Sequence, residues 1–354
     1  QQRSIELSEG LKNFYSVIKD NDAHLKFVFL TGVSKFSKVS LFSGLNNLTD
    51  ITLEPNFATI CGWTESELTH TFAPHLQDKD LEEVRQWYNG YSWLGEKVYN
   101  PFSLLNFLRT GQFRNYWFET GTPTFLIDLL RKKHYNIPAL EDIQASESLI
   151  GAFDVDFIEP ENLLFQTGYL TIAELEQMAG KTFYKLIYPN MEVKASLSDY
   201  ILNSYVYDAA AKEKIQQRIF RALQGNNPDA LQSIFHALFA AIPHDWYRKN
   251  NLAAYEGYYC SVFYCYFAAL GLDVRPEEVT SQGLIDMALL FAGRVYIFEF
   301  KVRDLDQTPG KALAQLQAKG YADKFRATAQ AIYLIGVEFD RQERNIVGFE
   351  WEEA

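Results

Sequence analysis

The sequence predicts a mixed α/β chain of more than one domain, on three observations. It runs to 354 residues, more than the length of about 250 to 300 at which a single core usually stops growing. Near the start, Leu25 to Leu30 forms an apolar run broken only by Lys26, suited to a buried strand, and the polar stretch Thr31-Gly32-Val33-Ser34-Lys35-Phe36-Ser37 leaves it as a loop. Far along the chain, two β-type runs, 284–291 and 294–301, are joined by Ala292-Gly293 alone. A link of that length containing glycine reads as a hairpin.

Composition narrows the function. Hydrophobic residues make up 47% and aromatics 15%, including 27 Phe and 21 Tyr, which supports packed cores and argues against disorder. No run of about 18 uncharged apolar residues occurs, so no membrane span is expected. Cys61, Cys260 and Cys265 are an odd set without metal-type pairing; this excludes a disulfide framework and points to a reducing, cytoplasmic setting. The six histidines are scattered and none pairs with cysteine at zinc spacing, and a Ser or Cys nucleophile with a His base has no support. The net charge is −12, and residues 251–354 carry 10 basic against 15 acidic side chains. Contact with nucleic acid would therefore need a local basic patch that the sum hides.

The chain begins at Gln1 without methionine and reads as an interior cut. An amphipathic segment, Leu11 to Lys19, precedes Asn21-Asp22. Further on, Pro160 to Thr167 reads as a helix closed by Gly168. Tyr169 to Ile172 then reads as a strand, followed by a polar link through Gly180, a second strand over Phe183 to Tyr188, and a helix from Met191. Residues 200–242 read as helices, with Asn227-Pro228-Asp229 as a start signal and Pro243 as a stop. From Leu252 a helix carries Glu256 ahead of Tyr258, Tyr259, Val262, Phe263 and Phe267, ending at Gly271. A new strand region follows Pro276.

The hairpin carries the chemistry. If Ala292-Gly293 is a two-residue turn, Phe291 faces Arg294, and counting back along both runs sets Asp286 opposite Glu299. Facing carboxylates repel, and a divalent cation between them removes that cost. Strand alternation puts Lys301 on the face of Glu299. Two hard oxygen ligands and an ammonium group form the set that a metal-assisted hydrolase needs, with magnesium or manganese as the ion and Lys301 to position or deprotonate the attacking water. Glu299 and Lys301 alone would be an ordinary salt-bridged strand; facing Asp286 gives them another meaning.

Several strings go further. Phe27 to Asn47 (FVFLTGVSKFSKVSLFSGLNN), Ala58-Thr59-Ile60-Cys61-Gly62, Trp87-Tyr88-Asn89-Gly90-Tyr91, Tyr99-Asn100-Pro101-Phe102-Ser103 and Tyr116 to Pro123 resemble the bacterial AAA-ATPase-like family. That resemblance implies that Thr31, Ser34 and Lys35 sit near the nucleotide phosphates in an intact protein. No G-x-x-x-x-G-K-[ST] occurs in this chain, so ATP is expected to act only in the intact protein. Without that loop, Ser34 and Lys35 read as a capped loop on a truncated sheet. Residues 158–197 resemble the winged-helix tail of related proteins, although Glu161, Glu174, Glu176 and Glu192 charge it poorly for phosphate.

The D-x(12)-E-x-K spacing of Asp286, Glu299 and Lys301, with Glu256 in YEGYY, GLID around Asp286, IFEFK, and ALAQLQAKGY from Ala312 to Tyr321, resembles the PD-(D/E)XK nuclease superfamily. The resemblance implies an accessory acid in Glu256, a metal-ligating carbonyl at Phe300 and a helix-borne polar group near the metal in Gln315. Leu284 departs from the pattern, standing where a basic residue often precedes the Ile-Asp pair.

The expected organisation is a remnant of an AAA-type ATPase α/β core over 1–70, a helical and winged-helix region over 71–200, a helical linker over 201–245 and a PD-(D/E)XK nuclease-like α/β sandwich over 246–354. The expected function is magnesium-dependent phosphodiester hydrolysis of DNA, or RNA, coupled to an ATPase module. The alternative is an inactive binding or regulatory protein with both folds.

Overall fold

A computed structural model of the chain describes residues 2–32, 48–120, 124–151, 159–205, 209–241, 256–303 and 309–354. The chain divides into two compact units, Gln1–Thr120 with Asp142–Val193, and Gly121–Glu141 with Lys194–Ala354.

In the first unit, α1 (Gln2–Asp20) is followed by α2 (Glu65–Thr71), α3 (Ala73–Leu76), α4 (Leu81–Tyr88) and α5 (Pro101–Thr110). Sequence-local caps fix where these helices start. Thr64 and Glu67 form a capping box on α2, Asp80 accepts the Glu82 and Glu83 amides of α4, and Asn100 accepts those of Phe102 and Ser103 on α5. Between them lies a core of Leu68, Val84, Tyr88, Tyr99, Leu104 and Phe107.

The strand expected over Leu25 to Leu30 is not formed. Those residues adopt no regular structure, and Phe27 is 81% exposed. An apolar run becomes a strand only when a neighbour accepts its ladder, and among the described residues none pairs with it.

The next helix, α6 (Thr124–Lys132), belongs to the second unit. The chain returns to the first with β1 (Ile143–Ser146), α7 (Glu147–Gly151), α8 (Pro160–Gln166), β2 (Thr171–Met178) and β3 (Lys181–Ile187). The strands form an antiparallel sheet in the order β1-β3-β2. β2 is longer than expected: residues read as a polar link up to Gly180 continue the strand to Met178. Ala179 and Gly180, both at positive φ (50° and 77°), make the tight turn that permits this.

The second unit contains α9 (Met191–Tyr205), most of which lies here, α10 (Ala209–Gln224), α11 (Pro228–Ala241) and α12 (Glu256–Ala269). β4 (Asp273–Thr280), β5 (Gly283–Phe291), β6 (Arg294–Arg303), α13 (Lys311–Lys319), β7 (Ala331–Asp340) and β8 (Ile346–Glu353) follow. The helices expected as a linker thus fall within this unit; Pro243 and Leu252 lie outside the described residues. Among the described residues five strands form one sheet in sequence order, antiparallel except for the parallel β6–β7 pair that α13 connects. β4 starts ahead of Pro276 instead of after it, and it tolerates the proline because it is an edge strand.

Alternation along β6 sorts the two faces. Phe298 and Phe300 pack against α12, with Phe263 5.1 Å from Phe300 and Phe267 5.7 Å from Phe298 between ring centroids. Val295 and Ile297 face the other way and join Leu316 of α13, Tyr321, Phe325, Ile332 and Leu334 in a second core. The unit is therefore an α/β sandwich with its sheet in the middle.

Candidate active site

The β5–β6 hairpin turns at Ala292 and Gly293, with φ of 49° and 75°, as a two-residue turn of the mirror-image type does. The expected register holds over five pairs, from Phe291↔Arg294 to Met287↔Phe298. One step further, where Asp286 and Glu299 would face each other, the regular ladder stops. The Asp286 side chain replaces it: its Oδ2 accepts the Phe300 backbone N–H at 2.8 Å. A short acidic side chain competes with a carbonyl for a nearby amide. On the other edge of β5 the pairing with β4 also skips a step, between Pro276↔Met287 and Glu278↔Ile285, at Glu277, which has a φ of 48°.

Glu299 is 1% exposed. Its Oε1 takes the Lys301 ammonium at 2.8 Å and a hydrogen bond from the Gln315 side-chain amide. Its Oε2 is buried and has no hydrogen-bond partner among the described residues. Burial, then the charge of Asp286 and more weakly that of Glu256, push the Glu299 carboxyl up to about 7 against the lowering influence of Lys301. Burial also raises Asp286, opposed by the Phe300 amide and Lys301 and assisted by Glu256 and Glu277. For Lys301 burial acts downward, but Glu299, Asp286 and Glu256 outweigh it and the ammonium is held more firmly than usual.

The remaining expected residues converge on the same place. Glu256, at the start of α12, accepts the Val302 backbone N–H through Oε1 at 3.2 Å. Gln315 projects from α13 onto Glu299. Leu284, at the position of the departure noted above, is exposed, and its carbonyl accepts the Tyr321 hydroxyl at 2.8 Å. In the first unit Thr31 is exposed in an irregular segment, while Ser34 and Lys35 lie outside the described residues. Glu192, counted among the acids that charge the winged-helix region poorly for phosphate, is fully buried and accepts the Trp117 backbone N–H at 2.9 Å.

Two residues that position the site were not singled out from the sequence. Gly336 is the ladder partner of Glu299 on β7, and a Cβ there would lie 2.4 Å from the Leu313 backbone nitrogen. Only glycine lets α13 approach this closely. Glu338, partner of Lys301 and 3% exposed, accepts the Ala312 N–H at 3.3 Å. Gly310, which precedes α13, has no side chain with which to cap it, so the neighbouring strand supplies the acceptor. The glycine inside the strand-like run AIYLIGVEF was the available signal.

Among the described residues no three His, Cys, Asp or Glu side chains converge as a preformed metal shell. Two carboxylates do meet here, and the unpartnered Oε2 of Glu299 fits an oxygen-seeking cation whose remaining positions are filled by backbone oxygen and water. Among the described residues no helix is long and apolar enough to cross a membrane.

Comparison with known proteins agrees with this geometry. The chain is 54% identical over 345 residues, 97% of its length, to an uncharacterized protein in the vnfD 5' region of Azotobacter chroococcum mcd 1, and it spans 66% of that relative's length. Residues 1–42 match the family described as "Predicted AAA-ATPase". Residues 254–349, which hold α12, β4 to β7, α13, the start of β8 and the carboxylates Glu256, Asp286, Glu299 and Glu338, match the PD-(D/E)XK nuclease superfamily. The chain thus carries a PD-(D/E)XK nuclease superfamily domain together with an AAA-ATPase-like segment.

Proposed function

We propose that the second unit is a divalent-metal-dependent phosphodiesterase acting on nucleic acid, with DNA as its substrate class. The reading is carried by the Glu299 carboxylate, buried to 1% exposure with Oε2 unpartnered among the described residues. Burying a carboxylate oxygen without a partner costs about 1–3 kcal/mol or more, and a cation shared with Asp286 offsets that cost.

Asp286, Glu299 and the Phe300 carbonyl would hold Mg2+ or Mn2+, which when bound polarises a phosphoryl oxygen and acidifies water. Lys301, whose proton the surrounding carboxylates hold more firmly in the metal-free site, would position the attacking water and stabilise charge building on the phosphorus oxygens. Gln315 orients Glu299, and Glu256 adds negative charge at the edge of the site. In the first unit the β2–β3 hairpin, which we read as the wing of a winged helix, exposes Glu174 and Glu176; these repel phosphate, so nucleic-acid contact belongs to the second unit.

In a longer protein such as the relative above, this domain would work behind an ATPase module, with Thr31, Ser34 and Lys35 close to the nucleotide. The cytoplasm is the setting we assign, because Cys61, Cys260 and Cys265 are all free thiols. The net charge of −12 favours one other reading, a catalytically silent binding or regulatory protein.

Incubating the chain with duplex DNA, single-stranded DNA and RNA in Mg2+ or Mn2+ separates the two. Cleavage that requires the metal and disappears in Lys301→Ala supports the hydrolase. Bound metal without cleavage of any of the three supports the silent protein.

A further inference from the structure

The chain is acidic overall, yet one helix reverses the sign. Over Ala209–Gln224, α10 carries Lys212, Lys214, Arg218 and Arg221 against the single acid Glu213. Lys212 is buried and committed, with its ammonium 2.6 Å from Asp199. The other three are spaced four and three residues apart, which places them on one face of the helix. All three are exposed, and among the described residues none has an ion-pair partner. The opposite face is the packed one, where Ile219 and Leu223 are buried.

The stripe borders a groove of about 460 Å³ between α10 and α11, lined by Arg218, Arg221, Gly225, Asn227, Ser233 and Ile234. The nearby acid Asp229 is already engaged, accepting the Trp351 indole N–H at 2.7 Å. Cations held on one rigid face beside an open groove are the arrangement that tracks a row of phosphates.

The helix is tied to the catalytic sheet. Phe220 packs edge-on against Phe291, the last residue of β5, and Asn226 just beyond α10 bonds the hydroxyls of Tyr296 and Tyr333. From Arg294, at the turn end of β6, to Glu299 is five residues, or roughly 16 Å of strand. The carboxylates repel a phosphate backbone until a cation neutralises them, so affinity has to be supplied away from them.

We infer that the α10 face of Lys214, Arg218 and Arg221 is a phosphate-backbone docking surface, anchoring nucleic acid remote from the hydrolytic site. The inference rests on the nucleic-acid reading of that site but not on catalysis or metal.

The test uses the full chain in EDTA, with fluorescence anisotropy of a labelled DNA duplex read across a salt series. The parent is compared with Lys214→Gln/Arg218→Gln/Arg221→Gln and with the charge-keeping pair Arg218→Lys/Arg221→Lys, after circular dichroism has shown matching melting curves. Each phosphate contact contributes about 0.9 to the slope of log affinity on log salt, so between roughly 50 and 200 mM the parent should lose about 40-fold more affinity than the triple variant. The Lys pair should keep the parental slope.

An unchanged slope in the triple variant overturns the inference. So does a parent that binds no duplex but binds polyglutamate, which would make the stripe a dock for an acidic protein. Because EDTA removes the metal, a failed cleavage assay leaves this result standing, and a flat salt series leaves the metal site standing.

Discussion

The backbone N–H of Phe300 is donated to Oδ2 of Asp286 at 2.8 Å, where the β5–β6 ladder would otherwise have continued. The carboxylate is therefore both an expected metal ligand and the acceptor for an amide in a residue that is 1% exposed. The two roles respond differently to mutation. Asp286→Ala orphans the Phe300 amide and should cost about 1–3 kcal/mol in the metal-free protein. Asp286→Asn keeps an acceptor oxygen and removes the charge that lifts Glu299, so it should lie within about 1 kcal/mol of the parent. Urea unfolding of the three proteins in EDTA gives both values.

The Glu299 carboxyl, held at about 7 in the fold against an ordinary value of about 4.3, makes metal-free stability depend on pH. Between those values the folded state binds the extra proton, so the contribution of Glu299 is fully present below about 4.3 and is lost as pH rises through 7, by on the order of 3 kcal/mol at full deprotonation. Glu192, also raised to about 7 by burial, contributes in the same direction. Glu299→Gln should remove its own share and leave that of Glu192, a difference that urea midpoints at pH 5 and pH 8 resolve.

Lys301→Ala should lower any metal-dependent cleavage by on the order of 10²–10³, and the metal should still bind. The ammonium restrains the rise of Glu299, so the variant's metal affinity should begin to fall at a higher pH than the parent's. Calorimetry from pH 6.5 to 8.5 reads the displacement.

Gly336→Ala would place a methyl group 2.4 Å from the Leu313 nitrogen, against backbone that cannot rotate away. α13 must shift, carrying Gln315 from Glu299, at a cost of about 1–3 kcal/mol. Loss of the Gln315 side-chain amide's shifted resonance, with the rest of the spectrum retained, would show displacement of the helix rather than unfolding.

Ala292 occupies a left-handed turn position, with φ of 49°, that alanine disfavours. Ala292→Gly or Ala292→Asn should stabilise the second unit by about 0.5–1 kcal/mol, visible as a later urea midpoint with an unchanged slope.

Much of the second unit was legible because its signals are local. A two-residue link fixed the hairpin register, alternation put Lys301 beside Glu299, and Asn227 together with Pro228 marked the start of α11. The same reasoning missed what depends on partners distant in sequence. The period-2 pattern does not show that Asp286 interrupts its own ladder, that Glu338 caps a helix 26 residues earlier, or that Gly336 sets how closely α13 docks. Leu25 to Leu30 failed for a related reason: its composition suits a strand, but a strand requires a neighbour. The burial of Glu192 was not legible either, because a single acidic residue carries no mark of it.

The central claim is that Asp286 and Glu299 together hold a divalent cation. Isothermal titration of the metal-free chain with Mn2+ at about pH 8, where Glu299 has lost its proton, tests it most directly. The account predicts a saturable site in the parent, lost in Glu299→Gln and strongly weakened in Asp286→Asn. Binding unchanged in both variants, or no binding by the parent, would contradict it.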